Sequence, residues 1–281
     1  MKVCIFYFSG TGNTWWITTK IVEEFKKLGH EVKKYPIDSK LLQDDSIKFR
    51  IINEYDIIGI GYPIYNSDIA EPMKIFLENL PSNLNETKPV FSYCTQMFVG
   101  GNAGILSKSY LELSDSNKKD YELKWAAHFI MPCNIHLPPI IKVPSKKKIE
   151  KILNNELKYV IKFVGRIVSS KNWIEGGFEK IRSMFSLKFP TEKQILEIDT
   201  TLCDNCNLCK EICPADNIII ENGYYRIKGN CYFCARCYNN CPKNAIKVKL
   251  EKFKIDLSSG IKQYRGPVKE FNPKEMLKLN I

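Results

Sequence analysis

Eight of the 11 cysteines in this 281-residue chain lie in two copies of one spacing pattern. Each copy reads C-x2-C-x2-C-x3-C-P, so three thiols follow one another at two-residue gaps and a fourth precedes a proline. Thiolates at such spacing are ligands of zinc or of iron–sulfur clusters. The first run consists of Cys203, Cys206, Cys209 and Cys213, and the second run of Cys231, Cys234, Cys237 and Cys241.

Zinc and disulfides are the alternatives to iron–sulfur chemistry. Zinc sites usually combine close cysteine pairs across a longer loop, and no histidine lies near either run to complete a mixed site. Disulfides need an oxidising compartment, whereas the chain begins MKVCIFYFSG without the pattern of a signal peptide. We therefore expect a cytoplasmic protein with reduced thiols that bind two 4Fe–4S clusters.

The sequence around each cysteine run repeats as well. Each run lies between two short β-like segments, which predicts a small βαββαβ unit over residues 195–248. This region resembles the two-cluster bacterial ferredoxins, in which the last cysteine of each run ligates the other cluster. The resemblance implies a first cysteine set of Cys203, Cys206, Cys209 and Cys241, and a second cysteine set of Cys231, Cys234, Cys237 and Cys213.

A different chemistry is indicated at the start of the chain. An apolar β-like run ends at a small polar loop, and a helical pattern follows from Trp15 to Leu28. A strand, a loop and a helix N-terminus in this order predict a phosphate site, because backbone N–H groups and the helix dipole favour an anion there. The loop has no lysine of the P-loop type, and Trp15 occupies the third glycine position of the dinucleotide fingerprint. The predicted phosphate ligands are Ser9, Gly10, Thr11, Gly12, Asn13 and Thr14.

This loop resembles the [ST]-x-T-G-x-T phosphate loop of flavodoxins, matched here by Ser9, Thr11, Gly12 and Thr14. Apolar runs at 31–37, 55–60, 88–94 and 121–131 fit the same fold, with helical stretches between most of them, at 70–80 and 104–113. We expect an α/β protein: a flavodoxin-like, doubly wound, parallel five-stranded sheet plus a small α+β two-cluster ferredoxin domain. The resemblance implies FMN as a third cofactor.

By the same resemblance, the loops after strands three and four flank the flavin ring. One wall would consist of Tyr62, Pro63, Ile64 and Tyr65, and the other of Thr95, Phe98, Gly100 and Gly101. The alternatives are ordinary loop aromatics packed on the sheet, or a flavodoxin-like domain that has lost its flavin. Typical flavodoxins are acidic and carry aromatic rings on both loops, whereas here only Phe98 is available on the second side. Cys4, Cys94 and Cys133 are interpreted as packing residues rather than a reactive dithiol.

The net charge of +11 is unevenly distributed, with most of the excess in residues 142–194 and in the tail after residue 248. Such basic segments favour acidic redox partners, although a solvated helix face explains them as well. An interfacial membrane helix around residues 174–189 is a further alternative, but no apolar run is long enough to span a bilayer. The basic segments lack a nucleic-acid-binding motif. The predicted parts are a flavodoxin-like domain (1–170), a connector (171–194), a ferredoxin domain (195–250) and a basic tail (251–281).

The whole chain resembles the flavodoxin–ferredoxin fusion proteins of anaerobic bacteria and archaea. The resemblance implies electron transfer between two 4Fe–4S clusters and FMN, linking one-electron and two-electron partners. Two alternatives are an FMN-dependent reductase of a small molecule and a subunit that docks on a larger redox complex. The sequence shows no acid–base group beside the predicted flavin site, so we predict no catalytic residue and favour a carrier over an enzyme.

Overall fold

The computed structural model describes residues 1–65, 67–97, 103–111, 120–135, 142–175, 194–222, 224–250, 255–256 and 263–279. All structural statements below refer to these residues.

The first half of the chain forms one mainly parallel sheet. Its strands are β1 (Lys2–Tyr7), β2 (Glu31–Pro36), β3 (Ile57–Tyr65), β4 (Asp68–Ile69), β5 (Lys88–Gln96), β6 (Tyr121–Ile130) and β7 (Trp173–Ile174). They lie in the order β2-β1-β3-β5-β6-β7, with β4 antiparallel to the end of β3. The five long strands have the 2-1-3-4-5 order of flavodoxins, which confirms the predicted fold class. The two short strands, β4 and β7, extend the predicted five-stranded sheet.

Helices cover both faces of this sheet. Successive residues of a strand point to opposite faces, and both faces are apolar here, so each face is buried under helices. The helices are α1 (Asn13–Lys27), α2 (Asp45–Glu54), α3 (Glu71–Glu78), α4 (Lys108–Leu111) and α5 (Lys146–Val168). Helices α1 and α5 pack against one face, and α2, α3 and α4 pack against the other. The apolar stripe of α5 is buried at Leu153, Val160, Phe163, Val164 and Ile167.

Two predicted elements differ from the structure. The third strand was expected to end at residue 60, but β3 continues to Tyr65 because Tyr62 and Pro63 pair with β5 and the last two residues pair with β4. A continuous helix was expected over 104–113, but a short 3₁₀ turn (Ala103–Ile105) precedes α4. The helix is interrupted where the N–H of Ser107 donates to the Tyr62 hydroxyl instead of to a helical carbonyl.

The cysteine-rich region has the predicted βαββαβ order. It contains β8 (Gln194–Ile198), α6 (Leu208–Glu211), β9 (Ile218–Glu221), β10 (Tyr224–Ile227), α7 (Arg236–Asn240) and β11 (Ile246–Leu250), with β12 (Ile255–Asp256) beside β11. Strands β8 and β11 pair antiparallel, and so do β9 and β10. Its own apolar core is small, with Tyr238, Ala245 and Ile246 at its centre.

The C-terminal segment, residues 263–279, packs against both halves of the molecule. Tyr264 and Met276 are each 1% exposed, and Pro273–Leu277 forms a 3₁₀ turn. The sequence indicated only that this tail is basic, and its packing against the two halves was not predicted. The predicted domain boundaries stay predictions, although Trp173–Ile174 already extends the first sheet by pairing with β6. Most of the predicted apolar stripe at 174–189 lies outside the described residues.

Candidate functional site

The first cysteine set surrounds one cavity in the small domain. Cys203, Cys206, Cys209 and Cys241 line it together with apolar groups such as Ile198. Burial raises the pKa of the Cys209 thiol to about 11, and the three other thiols of this set are the neighbouring charges that raise it further. The last cysteine of the second run therefore lies with the first three cysteines of the first run.

The second cysteine set is gathered in the same way. Burial raises the pKa of the Cys237 thiol well above its usual value, and Cys234, Cys231 and Cys213 are the next largest influences on it, in that order. The last cysteine of the first run therefore lies with the second run. Within the described ranges, no group of three or more His, Cys, Asp or Glu side chains is placed to hold a single metal ion. In a 4Fe–4S cluster, by contrast, each cysteine binds a different iron.

Backbone N–H groups point at the sulfur atoms in both copies. The N–H of Asn217 lies 3.3 Å from Cys213 Sγ, and the N–H of Ala245 lies 3.2 Å from Cys241 Sγ. Each donor stands four residues after the last cysteine of its run, which is the crossing cysteine, since it lies with the other cysteine set. Such hydrogen bonds stabilise thiolates and are one of the means by which a protein sets a cluster potential.

The loop between β1 and α1 has the features of an anion site. Gly12 adopts φ +96° at the start of α1, and no side chain caps this helix or places an acidic group in its first turn. The hydroxyl of Ser9 accepts from the N–H groups of Gly12 and Trp15, at 3.2 and 3.1 Å. Among the described residues, the N–H groups of the four other loop positions (Gly10, Thr11, Asn13 and Thr14) have no hydrogen-bond acceptor. N–H groups without an acceptor at a helix N-terminus are suited to a phosphate.

The residues expected to flank a flavin ring lie in different environments. The Tyr62 side chain is fully buried in the core, where its hydroxyl contacts Ser92, Gly104 and Ser107. This environment is that of the alternative interpretation, an aromatic side chain packed on the sheet, and a place for Tyr62 in the flavin wall stays a prediction.

Other predicted wall residues lie near the loop. The Thr95 hydroxyl is 2.8 Å from the Thr14 hydroxyl, which links the end of β5 to the phosphate loop. Pro63 pairs with Thr95, and Ile64 is half-buried and pairs with β4. Phe98, Gly100 and Gly101 lie outside the described residues.

Tyr65 lies where the phosphate loop meets the second cysteine run. Its hydroxyl and the Cys234 carbonyl both crowd Gly10, at a distance where any side chain at position 10 would collide with them. Burial raises the pKa of Tyr65 well above its usual range, so the hydroxyl stays protonated. Within the described structure this hydroxyl and Gln96 Nε2 are buried without a hydrogen-bond partner. Unpaired buried donors are uncommon and indicate a missing polar group.

Arg236 is a site residue that the sequence reasoning did not identify. Its guanidinium is 1% exposed and donates to the Ser9 carbonyl at 2.7 Å, to Asp38 at 2.6 Å and to the Ile212 carbonyl at 2.9 Å. It also lies 5.2 Å above the Phe8 ring. A fully buried arginine is rare, and its position two residues after Cys234 gave no signal beyond a positive charge.

The C-terminal segment covers the phosphate loop from the other side. The Tyr264 hydroxyl donates to Asn13 Oδ1 at 2.6 Å, and the Phe271 ring packs against Gly12 and lies 5.4 Å from the Trp15 ring. Arg265 donates to the Cys241 carbonyl at 2.6 Å, so the same segment also holds the small domain. The loop, the second cysteine run and the tail therefore share one interface.

The three cysteines outside the runs are buried. Cys4 and Cys94 lie in the core below the sheet, and burial raises the pKa of both thiols well above the usual value. Cys133 donates to the Ile135 carbonyl at 3.0 Å, and burial raises the pKa of its thiol as well. These features are those of packing residues.

Comparison with known proteins identifies the small domain. The family model of the 4Fe-4S dicluster domain matches residues 202–246, which contain all eight cysteines of the two runs. No curated protein matches the chain at a significant level. In the described part of the chain, no helix has the length and apolar character that crossing a bilayer requires.

Several solved structures resemble the first half. A flavodoxin from the domain Archaea is 17% identical, over 59% of this chain and 99% of its own, with a TM-score of 0.38. Flavodoxin 2 from Bacillus cereus is 16% identical, over 60% of this chain and 99% of its own, with a TM-score of 0.42. Rubredoxin oxygen:oxidoreductase from Desulfovibrio gigas is 16% identical over 60% of this chain but only 36% of its own, with a TM-score of 0.37. These TM-scores are low, so the assignment of the first half rests on its sheet order. The chain joins a flavodoxin-like sheet to a 4Fe-4S dicluster domain at residues 202–246.

Proposed function

We propose that this protein transfers electrons between two 4Fe–4S clusters and a bound FMN. One observation carries the proposal: the second cysteine run packs directly on the predicted phosphate loop. The Cys234 carbonyl and the Tyr65 hydroxyl meet at Gly10, and Arg236 donates to the Ser9 carbonyl. Two cofactor sites that share an interface support electron exchange between them.

The residues of the loop fit FMN. The N–H groups of Gly10, Thr11, Asn13 and Thr14, which have no acceptor among the described residues, would bind the phosphate at the positive end of α1. Tyr65 Oη and Gln96 Nε2, which have no partner in the described part of the chain, would be available for the polar edge of the ring. When bound, FMN would supply a group that accepts or releases one or two electrons. The chain's own groups bind and orient it, and the packed tail limits the access of water.

The two cysteine sets fit one cluster each. Each 4Fe–4S cluster would supply one-electron transfer at a potential set by its ligands, its hydrogen bonds and its exposure. The N–H groups of Asn217 and Ala245 would stabilise the two crossing thiolates in the same way.

The basic helix α5 supports an acidic protein partner. Its apolar side packs on the sheet, and exposed lysines such as Lys147, Lys151 and Lys158 lie toward solvent. Charges on such a surface speed encounters with an acidic protein, and salt screens them. We expect the rate of electron exchange with an acidic ferredoxin to fall as salt is added. A rate that does not depend on salt would contradict this partner.

The proposal is tested by anaerobic purification and reconstitution, followed by quantification of iron, sulfide and flavin. We expect about eight iron atoms and one FMN per chain. About four irons would contradict the two-cluster assignment, and a protein that does not bind FMN would contradict the flavin assignment.

A matched pair of glycine variants localises the flavin. Gly12 and Gly29 flank helix α1, and both have positive φ, +96° and +80°. A side chain at Gly12 would also collide with Phe271, whereas a side chain at Gly29 meets nothing within 4 Å. We expect Gly12→Ala to lose FMN while it keeps its iron, and Gly29→Ala to keep both. Equal flavin content in the two variants would place the flavin elsewhere.

A further inference from the structure

We infer that the two clusters have different places in the electron path: the second cysteine set is the inner site that exchanges electrons with FMN, the first is the outer site, and Arg236 positions the inner one. This inference rests on the proposed function and adds an order that neither the cysteine spacing nor the fold contains.

Burial distinguishes the two sets at the second cysteine of each run. Cys206 in the first run is exposed, whereas Cys234, at the same place in the second run, is 7% exposed. Cys234 packs in the apolar cluster of the first-half sheet, and its carbonyl lies against Gly10 of the phosphate loop. The first set is therefore open to an external partner, and the second set faces the predicted flavin.

Arg236 connects the phosphate loop to both chain segments that supply the second set. It lies between Cys234 and Cys237 in the second run, and it donates to the carbonyl of Ile212, the neighbour of Cys213. The same guanidinium donates to the Ser9 carbonyl in the loop. Asp38, after β2, balances its charge at 2.6 Å. Only a planar group with several fixed donors makes these three contacts at once, so lysine cannot replace it fully.

The inferred path would move single electrons. An external one-electron redox protein would deliver each electron at the first cysteine set, and the second cysteine set, packed on the phosphate loop, would hold the cluster that exchanges it with FMN. Two such electrons and two protons from water would balance the reduction of one FMN, and the opposite direction would use the same contacts.

A matched pair of cysteine variants tests the order. Cys203→Ser and Cys231→Ser change the first cysteine of each run, and each should lower the iron content from about eight to about four. Each variant is reconstituted with iron, sulfide and FMN and partly reduced. The microwave power that half-saturates the flavin EPR signal is then measured, since a nearby reduced cluster speeds relaxation. We expect this power to fall in Cys231→Ser and to stay near the wild-type value in Cys203→Ser.

The reverse result would overturn the inferred order and leave the proposed function intact. Equal values in the two variants would also overturn it. A wild-type protein that binds no FMN would instead overturn the proposed function, and this inference with it, and the flavin content alone distinguishes that case.

Arg236 variants keep the test valid if a cysteine variant fails to fold, because they retain all eight ligands. We expect Arg236→Met to keep about eight irons but to lower both the half-saturation power and the FMN affinity, the latter by about tenfold. Arg236→Lys should restore part of each loss. Arg226→Met is the control, since Arg226 is an exposed residue of the same domain that pairs with the exposed Glu221. Unchanged flavin relaxation in Arg236→Met would show that Arg236 does not position the inner site.

Discussion

The two cysteine runs have the same spacing but different surroundings. The cysteines that would bind the clusters are alike in the two runs, whereas the residues that place each run in the protein differ. The first run is open to solvent at Cys206, and the second is covered at Cys234. Leu208 follows Cys206 at the position that Arg236 occupies after Cys234. The second run contacts the phosphate loop, through the Cys234 carbonyl and the Arg236 guanidinium.

The inner geometry of the two runs is nearly identical. Asn205 and Phe233 occupy equivalent positions with φ of +59° and +51°, and Asn207 and Ala235 follow with +62° and +55°. Left-handed residues at the same two places turn each chain around its cysteines. The ligand geometry is therefore repeated, and the residues outside the cysteine pattern determine which run faces the rest of the protein.

The largest expected effect concerns the crossing cysteines. If Cys213 belongs to the second set, Cys213→Ala alone should reduce iron from about eight to about four per chain. Adding Cys231→Ser should then cost no further iron, because both residues hold the same cluster. Adding Cys203→Ser instead should remove nearly all iron, because each set has lost one ligand. Iron analysis after anaerobic reconstitution measures all three variants.

The mirror variants around Cys241 provide the control. Cys241→Ala with Cys203→Ser should retain about four irons, and Cys241→Ala with Cys231→Ser should retain almost none. The opposite pattern of losses would mean that each run binds its own cluster, and the two sets would have to be reassigned.

The next effect concerns the residue that most distinguishes the runs. Arg236→Leu makes the second run resemble the first at this position and leaves the Asp38 carboxylate buried, since this side chain is only 9% exposed. Breaking a buried pair in this way should destabilise the protein by about 3 kcal/mol. The melting temperature of the reconstituted protein should fall by about 6–12 °C.

The charge argument is checked with Asp38. Adding Asp38→Asn to Arg236→Leu removes the unpaired charge and should recover part of the lost melting temperature. No recovery, or a further loss of similar size to the first, would mean that packing rather than charge explains the effect of Arg236.

Lys34 in β2 packs beside helix α1, where it is 6% exposed. Its ammonium donates to the Thr19 hydroxyl at 2.7 Å and lies 5.2 Å above the Trp15 ring. Burial lowers the pKa of Lys34 from 10.5 to about 8, although the tail residue Glu275 and Glu23 oppose that shift. The charged ammonium is therefore less favourable in the folded state than in the unfolded chain.

Lys34→Met should consequently stabilise the protein by about 2 kcal/mol at pH 7, where the charged amine is penalised only in the folded state. Between pH 8 and 10.5 the unfolded chain binds more protons than the folded one, so wild-type stability rises and the gain should shrink. Melting temperatures across this range measure it. Lys33→Met, at the neighbouring and less buried position, is the control. An equal gain in both variants would contradict an effect of burial.

Much of the architecture was predictable from local patterns. The cysteine spacing indicated the small domain, and the apolar runs indicated the five long strands. The burial of Tyr62 was not predictable, because the sequence pattern marks an aromatic residue near the strand end but not the face of β3 to which it points. Arg236 and Tyr264 escaped prediction for a different reason: their partners Ser9 and Asn13 lie more than 200 positions away in the sequence. Contacts of that separation depend on how the domains dock, and no local periodicity records them.

The smallest expected effect tests the repeated inner geometry directly. Ala235 is sterically strained in its left-handed conformation, and glycine would not be. The equivalent Asn207 tolerates that conformation. Ala235→Gly should therefore stabilise the protein by about 1 kcal/mol, or raise the melting temperature by about 2–4 °C. Asn207→Gly should not stabilise it, since its side chain also accepts from the Tyr225 hydroxyl at 2.8 Å. Equal responses of the two variants would contradict a steric cost that is specific to Ala235.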